Sequence, residues 1–129
     1  MSRKSIKSLL IISIFVVCGC HHESLTDKAE KTAKEYNRRY CPTPAVNYIR
    51  TDSIAFDKAK QTFTYYCSFC DLLDDEAIVE LNKEKIGNAL RSSVTQSTSM
   101  KPYVEAGFHF KYVCHSDKNP KQKLYEMGI

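Results

Sequence analysis

Apolar residues recur along this chain with two periods, and the switches between them mark its elements. Leu25, Ala29, Ala33, Tyr36 and Tyr40 form a narrow stripe that predicts a helix over 25–40. Ser24 or Thr26 can cap its start, and Asp27–Lys31 and Glu30–Lys34 are favourable pairs one turn apart. Cys41-Pro42-Thr43-Pro44 ends it, because a residue before proline avoids helical geometry. Residues 46–56 predict a strand in which Arg50 and Asp52 interrupt the apolar face, so it should be partly exposed, bulged, or hold an Arg–Asp pair. After a turn at 57–60, residues 61–69 alternate cleanly: Phe63, Tyr65, Cys67 and Phe69 against Thr62, Thr64, Tyr66 and Ser68.

The acidic run from Asp71 to Glu76 suits a helix start. A helix over 75–91 should bury Ile78, Val79, Leu81, Ile86, Ala89 and Leu90, weakened at Asn82 and Gly87. Residues 92–99 are rich in Ser and Thr and predict a loop; a short helix over 100–106 should end at Gly107. The strand over 108–115 sets Phe108, Phe110, Tyr112 and Cys114 against His109, Lys111, Val113 and His115. A turn at 116–120 leads to a last strand, 122–129, with Tyr125, Met127 and Ile129 inward. The order α-β-β-α-(α)-β-β predicts an α+β fold: an antiparallel four-stranded sheet from two hairpins, packed against helices. Phe63, Tyr65 and Phe69 should meet Phe108, Phe110 and Tyr112 under the helix near 75–91.

Length allows one domain: 129 residues, with four Gly and four Pro, exclude collagen-like, disordered and multidomain readings. The first twenty residues change the picture. Residues 1–7 carry three positive charges and no acid, and residues 8–17 are nearly all apolar, too short a run for a membrane span of about 20 residues. That is the form of a secretion signal. It ends in Val17-Cys18-Gly19-Cys20, which resembles the lipobox of bacterial lipoproteins. The resemblance implies cleavage before Cys20 and lipid on its sulfur and amine, palmitate-type chains that anchor the protein firmly. It divides the chain into a signal peptide at 1–19, a lipidated tether at 20–24 and a single α+β domain over 25–129. His21 after the lipidated Cys, rather than Asp, implies outer membrane over inner; the His21-His22 pair is read as tether and not as a metal site. Arg3, Lys4 and Lys7 leave with the signal, so Lys plus Arg falls from 19 to 16 against 15 acids, a formal charge of +1. No basic surface for nucleic acid is expected.

A second resemblance rests on strand patterns. Asn47 to Ile54 with its Arg50-x-Asp52-Ser53, Thr62 to Tyr66, and Met100-Lys101-Pro102 through Gly107-Phe108-His109-Phe110-Lys111-Tyr112 are similar to small uncharacterised lipoproteins and exported proteins of Gram-negative bacteria. Those share Arg-x-Asp-Ser, Thr-Tyr-x-Tyr and Gly-x-x-Phe-x-Tyr-x-Tyr strands. This chain departs by carrying Cys67 and Cys114 where aromatic residues are usual. The resemblance carries a fold and no activity.

Once Cys18 is removed and Cys20 lipidated, Cys41, Cys67, Cys70 and Cys114 remain. In an oxidising compartment an even count suggests disulfides. Cys67 and Cys114 lie on inner faces of strands expected to share a sheet, and Cys70 falls near the chain leaving Cys41. The first-ranked pairing is therefore Cys67–Cys114 with Cys41–Cys70. Buried unpaired thiols are the plain alternative. A thioredoxin-like Cys67-Ser68-Phe69-Cys70, with Pro102 as the facing proline, would make a thiol–disulfide oxidoreductase, but Cys67 sits inside a strand and no βα unit completes that fold. A Cys67, Cys70, Cys114, His115 metal set fails because neighbouring strand residues point to opposite faces. Asp74-Asp75-Glu76 fits a helix start better than a pair of catalytic carboxylates. No phosphate loop, Gly-x-Ser-x-Gly or His-Glu-x-x-His is present. The expectation is a non-enzymatic, lipid-anchored, periplasm-facing protein without cofactor or metal, binding a protein partner in the manner of an inhibitor, immunity or assembly lipoprotein. Tyr66, His109, Lys111 and Val113 are its candidate binding surface.

Overall fold

The computed structural model describes residues 23–129; the signal segment, Cys20 and the His pair lie outside them. Helix α1 spans Leu25–Tyr40, with the Ser24 Oγ accepting from the Asp27 N–H at 3.1 Å. Its small buried residues, Ala29 and Ala33, let its axis approach the sheet closely. Strands β1 (Ile49–Asp57) and β2 (Thr62–Phe69) form the first hairpin, and β3 (His109–Ser116) and β4 (Lys123–Gly128) the second. A 3-10 turn at Asp71–Leu73 and helices α2 (Glu76–Leu81), α3 (Lys83–Thr95) and α4 (Lys101–Glu105) connect them. The sheet order is β1-β2-β3-β4, with helices before and between the strands.

The α+β class, the four-stranded sheet and the element order follow the sequence, but the seam between the hairpins does not. β2 and β3 run parallel, from Thr62↔His109 to Phe69↔Ser116, so the sheet is mixed rather than wholly antiparallel. The reason is the connection: helices between β2 and β3 carry the chain back to the end from which β2 started, as a crossover does, whereas a tight turn reverses direction. Arg50 and Asp52 resolve as both a bulge and a pair. The register slips between Thr51 and Ser53, and the Arg50 Nε donates to the Asp52 Oδ1 at 2.8 Å.

The helix expected over 75–91 breaks at Asn82, whose Nδ2 donates to the Ile78 carbonyl at 2.8 Å. The break rotates the two halves, leaving Leu81 82% exposed and carrying helix α3 on to a buried Val94. Ala89, expected inside, is exposed. The polar stretch after 91 stays helical to Thr95, carrying the buried Val94 onto the core, while the Ser93 and Thr95 hydroxyls turn back to the Ala89 and Arg91 carbonyls, both at 3.1 Å, instead of to solvent. Gly87 lets β4 close: a Cβ there would lie 2.7 Å from the Tyr125 hydroxyl. Asp75 caps α2, its Oδ1 accepting from the Ala77 N–H at 2.8 Å and the Ile78 N–H at 3.2 Å, as its place before a helix implied.

The core lies between the helices and one face of the sheet. Phe63 stacks on Phe110 at 5.4 Å and Tyr65 on Tyr112 at 4.6 Å across the parallel seam. Ile86 and Leu90 of α3 cover them as expected, joined by Ala29 and Ala33 of α1 and by Met100 and Tyr103. The β1 edge is covered too. The Asn37 side-chain amide imitates a strand, its Nδ2 donating to the Ile54 carbonyl at 2.8 Å and its Oδ1 accepting from the Ile54 N–H at 2.7 Å. Thr43 covers Thr51 with its backbone and side chain together: its N–H donates to the Thr51 carbonyl and its Oγ1 accepts from the Thr51 N–H, both at 3.0 Å.

Candidate binding cleft

On the helix side of the sheet a cleft of about 380 Å³ remains between α1 and α3. Its floor is Thr51, Tyr65, Cys67 and Tyr112; Tyr36 stands on one wall and Ala89, Leu90 and Ser93 on the other. Thr43, Val46, Asn47, Ser97 and Ser99 form the mouth. No Asp, Glu, Lys, Arg or His lines it. The lining is aromatic and aliphatic, with hydroxyl groups spaced around it. Burial holds the Tyr65 and Tyr112 hydroxyls protonated well above the ordinary tyrosine range, and raises Tyr36 likewise. All three are therefore neutral hydrogen-bonding groups at any physiological pH.

A second groove, of about 460 Å³, lies on the other side of Asn47, Ile49 and Ala89 and is lined by Tyr48, Leu72, Ile78 and Ile86. The ridge between the two is a two-residue turn. Val46 and Ile49 exchange backbone hydrogen bonds at 2.9 and 3.1 Å, and the residues between them have positive φ, 53° at Asn47 and 68° at Tyr48. That is the geometry of a type I′ turn, whose second position favours Gly. A tyrosine there costs roughly 1–2 kcal/mol over glycine, yet Tyr48 is 46% exposed, beside Val46 at 66% and Leu72 at 61%. Of the cleft residues, the sequence marks Cys67 as a thiol and Tyr65 and Tyr112 as inward, but none as part of a binding surface. Val-Asn-Tyr-Ile hides its turn because Tyr stands where Gly would announce one.

The residues expected to matter fall in different places. Tyr66, His109, Lys111 and Val113 lie on the opposite, open face of the sheet, Tyr66 directly across the seam from Val113. Lys111 is held there by the Glu126 carboxylate at 2.9 Å. Cys67 and Cys114 face each other in register, 1% and 0% exposed. All four cysteines among the described residues are free thiols, so the expected disulfides are not formed here. Cys41 and Cys70 sit in different surroundings. Burial, then Asp52 and Cys67, push the Cys41 thiol up; burial and Asp117 push Cys70 up, with Arg50 opposing from 3.8 Å.

The thioredoxin-like pair is not assembled either. The Cys67 Sγ turns to the Thr51 hydroxyl at 3.9 Å and to Cys114, while the Cys70 Sγ turns to the Ser68 carbonyl at 3.7 Å. A 3-10 turn opening on Asp71, not a long helix, follows Cys70, and Pro102 lies in the first turn of α4. Among the described residues no group of three His, Cys, Asp or Glu side chains is arranged to hold a metal ion. No described helix is long and apolar enough to cross a membrane.

Over residues 24–125 the sequence matches the family described as Domain of unknown function (DUF8479). The chain belongs to that family. No curated protein matches this member by sequence. Two solved structures share its fold. One is a Pseudomonas aeruginosa protein described as secreted, 18% identical, with a TM-score of 0.64 over 84% of this chain and 95% of that one. The other is EpsS, the pilotin of the Vibrio vulnificus type 2 secretion system, 8% identical, with a TM-score of 0.59 over 79% of this chain and 84% of that one.

Proposed function

We propose that this family member is a lipid-anchored protein of the Gram-negative envelope that works by binding, and that the cleft between α1 and α3 receives an uncharged, partly apolar segment of a protein partner. The observation that carries this is the cleft itself: no charged side chain, hydroxyls from Tyr65, Tyr112 and Thr51 beside apolar walls, and at its mouth Val46 and Asn47 of a turn whose next residue, Tyr48, is held exposed in a glycine's conformation. Strained backbone that persists in a fold tends to mark a contact site. Phosphates, nucleotides and acidic ligands would find no counter-charge among these lining residues, whereas an extended or helical segment could place apolar side chains on the floor and its polar groups on the hydroxyls. Sharing a fold with a secretion-system pilotin favours the assembly type among the binding readings.

Site-specific photo-crosslinking in cells tests the reading. A crosslinker at Val46, Asn47 or Ser97, all at the cleft mouth, should capture one common partner, and the same group at Tyr66 or His109 should not. Capture from Tyr66 and His109 alone would move the site to the open sheet face. The anchor is tested separately: Cys20→Ser should release the protein from membranes and abolish labelling by a radioactive fatty acid. A variant that still fractionates with membranes, with a wild type that never labels, would remove the lipoprotein reading.

A further inference from the structure

Of the four described thiols, two are partners in the sheet. Cys67 and Cys114 are directly opposite across the parallel seam, with their side chains on the covered face. Adjacent strands are roughly 4.8 Å apart, inside the roughly 4.4–6.8 Å between Cα atoms that a disulfide spans. Side chains on the same face at that spacing set the two thiols against each other, and each shifts the other's titration. Both are almost fully buried, 1% and 0% exposed, but Cys67 lines the cleft floor beside the Thr51 hydroxyl and Cys114 does not line it. We propose that Cys67 and Cys114 form a dithiol–disulfide site, in which Cys67, reached through the cleft, exchanges with an external disulfide and Cys114 resolves the mixed disulfide, closing a covalent bond across the seam between the two hairpins.

The chemistry balances with an external disulfide as oxidant. The Cys67 thiolate attacks one sulfur of that disulfide; its S–S bond breaks, and one thiolate leaves and takes a proton. Cys114 then gives up its proton and attacks the Cys67 sulfur, releasing the second thiolate, which is protonated in turn. Two protein thiols are oxidised and one external disulfide is reduced to two thiols. The order of attack agrees with the direction in which each thiol shifts the other: Cys114 lowers Cys67 against the effect of burial, while Cys67 and burial together raise Cys114. The bond would join the hairpins at the one place where they meet without a turn.

Full-length protein, reduced and desalted, is treated with the small disulfide cystamine and digested without reduction for mass mapping. The expected wild-type product is a peptide pair linking Cys67 to Cys114, with no retained cysteamine, and a melting temperature several degrees above that of the reduced protein. Cys114→Ser should retain cysteamine on Cys67, and Cys67→Ser should leave Cys114 a free thiol. A stable cysteamine adduct on wild-type Cys67, a bond from Cys67 to Cys41 or Cys70, or both thiols unchanged in folded protein would each overturn the proposal. If either variant does not fold, the wild-type map decides alone.

Discussion

The two ends of the covered sheet face are built on the same pair of strands, and they finish differently. At one end the seam carries Phe63 and Phe110, and Phe56, Tyr103 and Phe108 close over them with ring centres 4.7–5.8 Å apart. The Tyr103 hydroxyl hydrogen-bonds the Thr32 hydroxyl at 2.9 Å and ties that cap to α1. Further along, the ladder steps from Tyr65/Tyr112 to Cys67/Cys114, and the cleft opens over Tyr65, Tyr112 and the small Cys67 side chain. Side-chain size, not backbone, separates a packed end from an open one here.

The comparison breaks most visibly at the closed end. Phe110→Ala should cost about 3–5 kcal/mol, read as a large fall in denaturation midpoint, whereas His109→Ala, its outward neighbour, should barely move it. Equal effects would mean that the strand is turned over. At the open end the sign should reverse: Tyr48→Gly should stabilise the fold by about 1 kcal/mol, because glycine accepts positive φ without strain, while reducing crosslinking from Val46. A destabilised Tyr48→Gly would show that the exposed tyrosine serves the fold rather than a partner. Tyr112→Phe sharpens the same point. Its hydroxyl has no protein hydrogen-bond partner among the described residues and faces the cleft, so the change should shift stability by no more than about 0.5 kcal/mol and weaken partner capture.

The smallest effect concerns pH, and it arises at neither end. Lys123 and Lys111 hold the Glu126 carboxylate down to about 2, against 4.5 unperturbed. A depressed acid contributes stability above its unfolded value and loses it as pH falls through the folded one. Denaturation midpoints should therefore fall between about pH 4.5 and 2, and Glu126→Gln should flatten that slope. Phe110→Ala should lower the midpoints without flattening it. An unchanged slope in Glu126→Gln would place the acid response elsewhere.

The residues themselves, through local period and local chemistry, determined helix α1 from Ser24 to the prolines after Cys41, the inward faces of β2 and β3, the β1–β2 turn, and the Arg50–Asp52 irregularity. Each of these is a matter of neighbours within a turn or a pleat, so one stretch of chain carries all the information. Only the tertiary structure decided the direction of the seam, since parallel pairing depends on the route of about 40 residues from Phe69 to His109. It also decided where the helix after Glu76 broke, because Asn82 competes for a carbonyl only once both halves have cores to face. And it decided that Cys67 and Cys114 stand opposite each other under a cleft whose walls come from α1 and α3, segments some 50 residues apart. A sequence shows which side chains point inward; whether the space above them is filled depends on elements that approach from elsewhere in the chain.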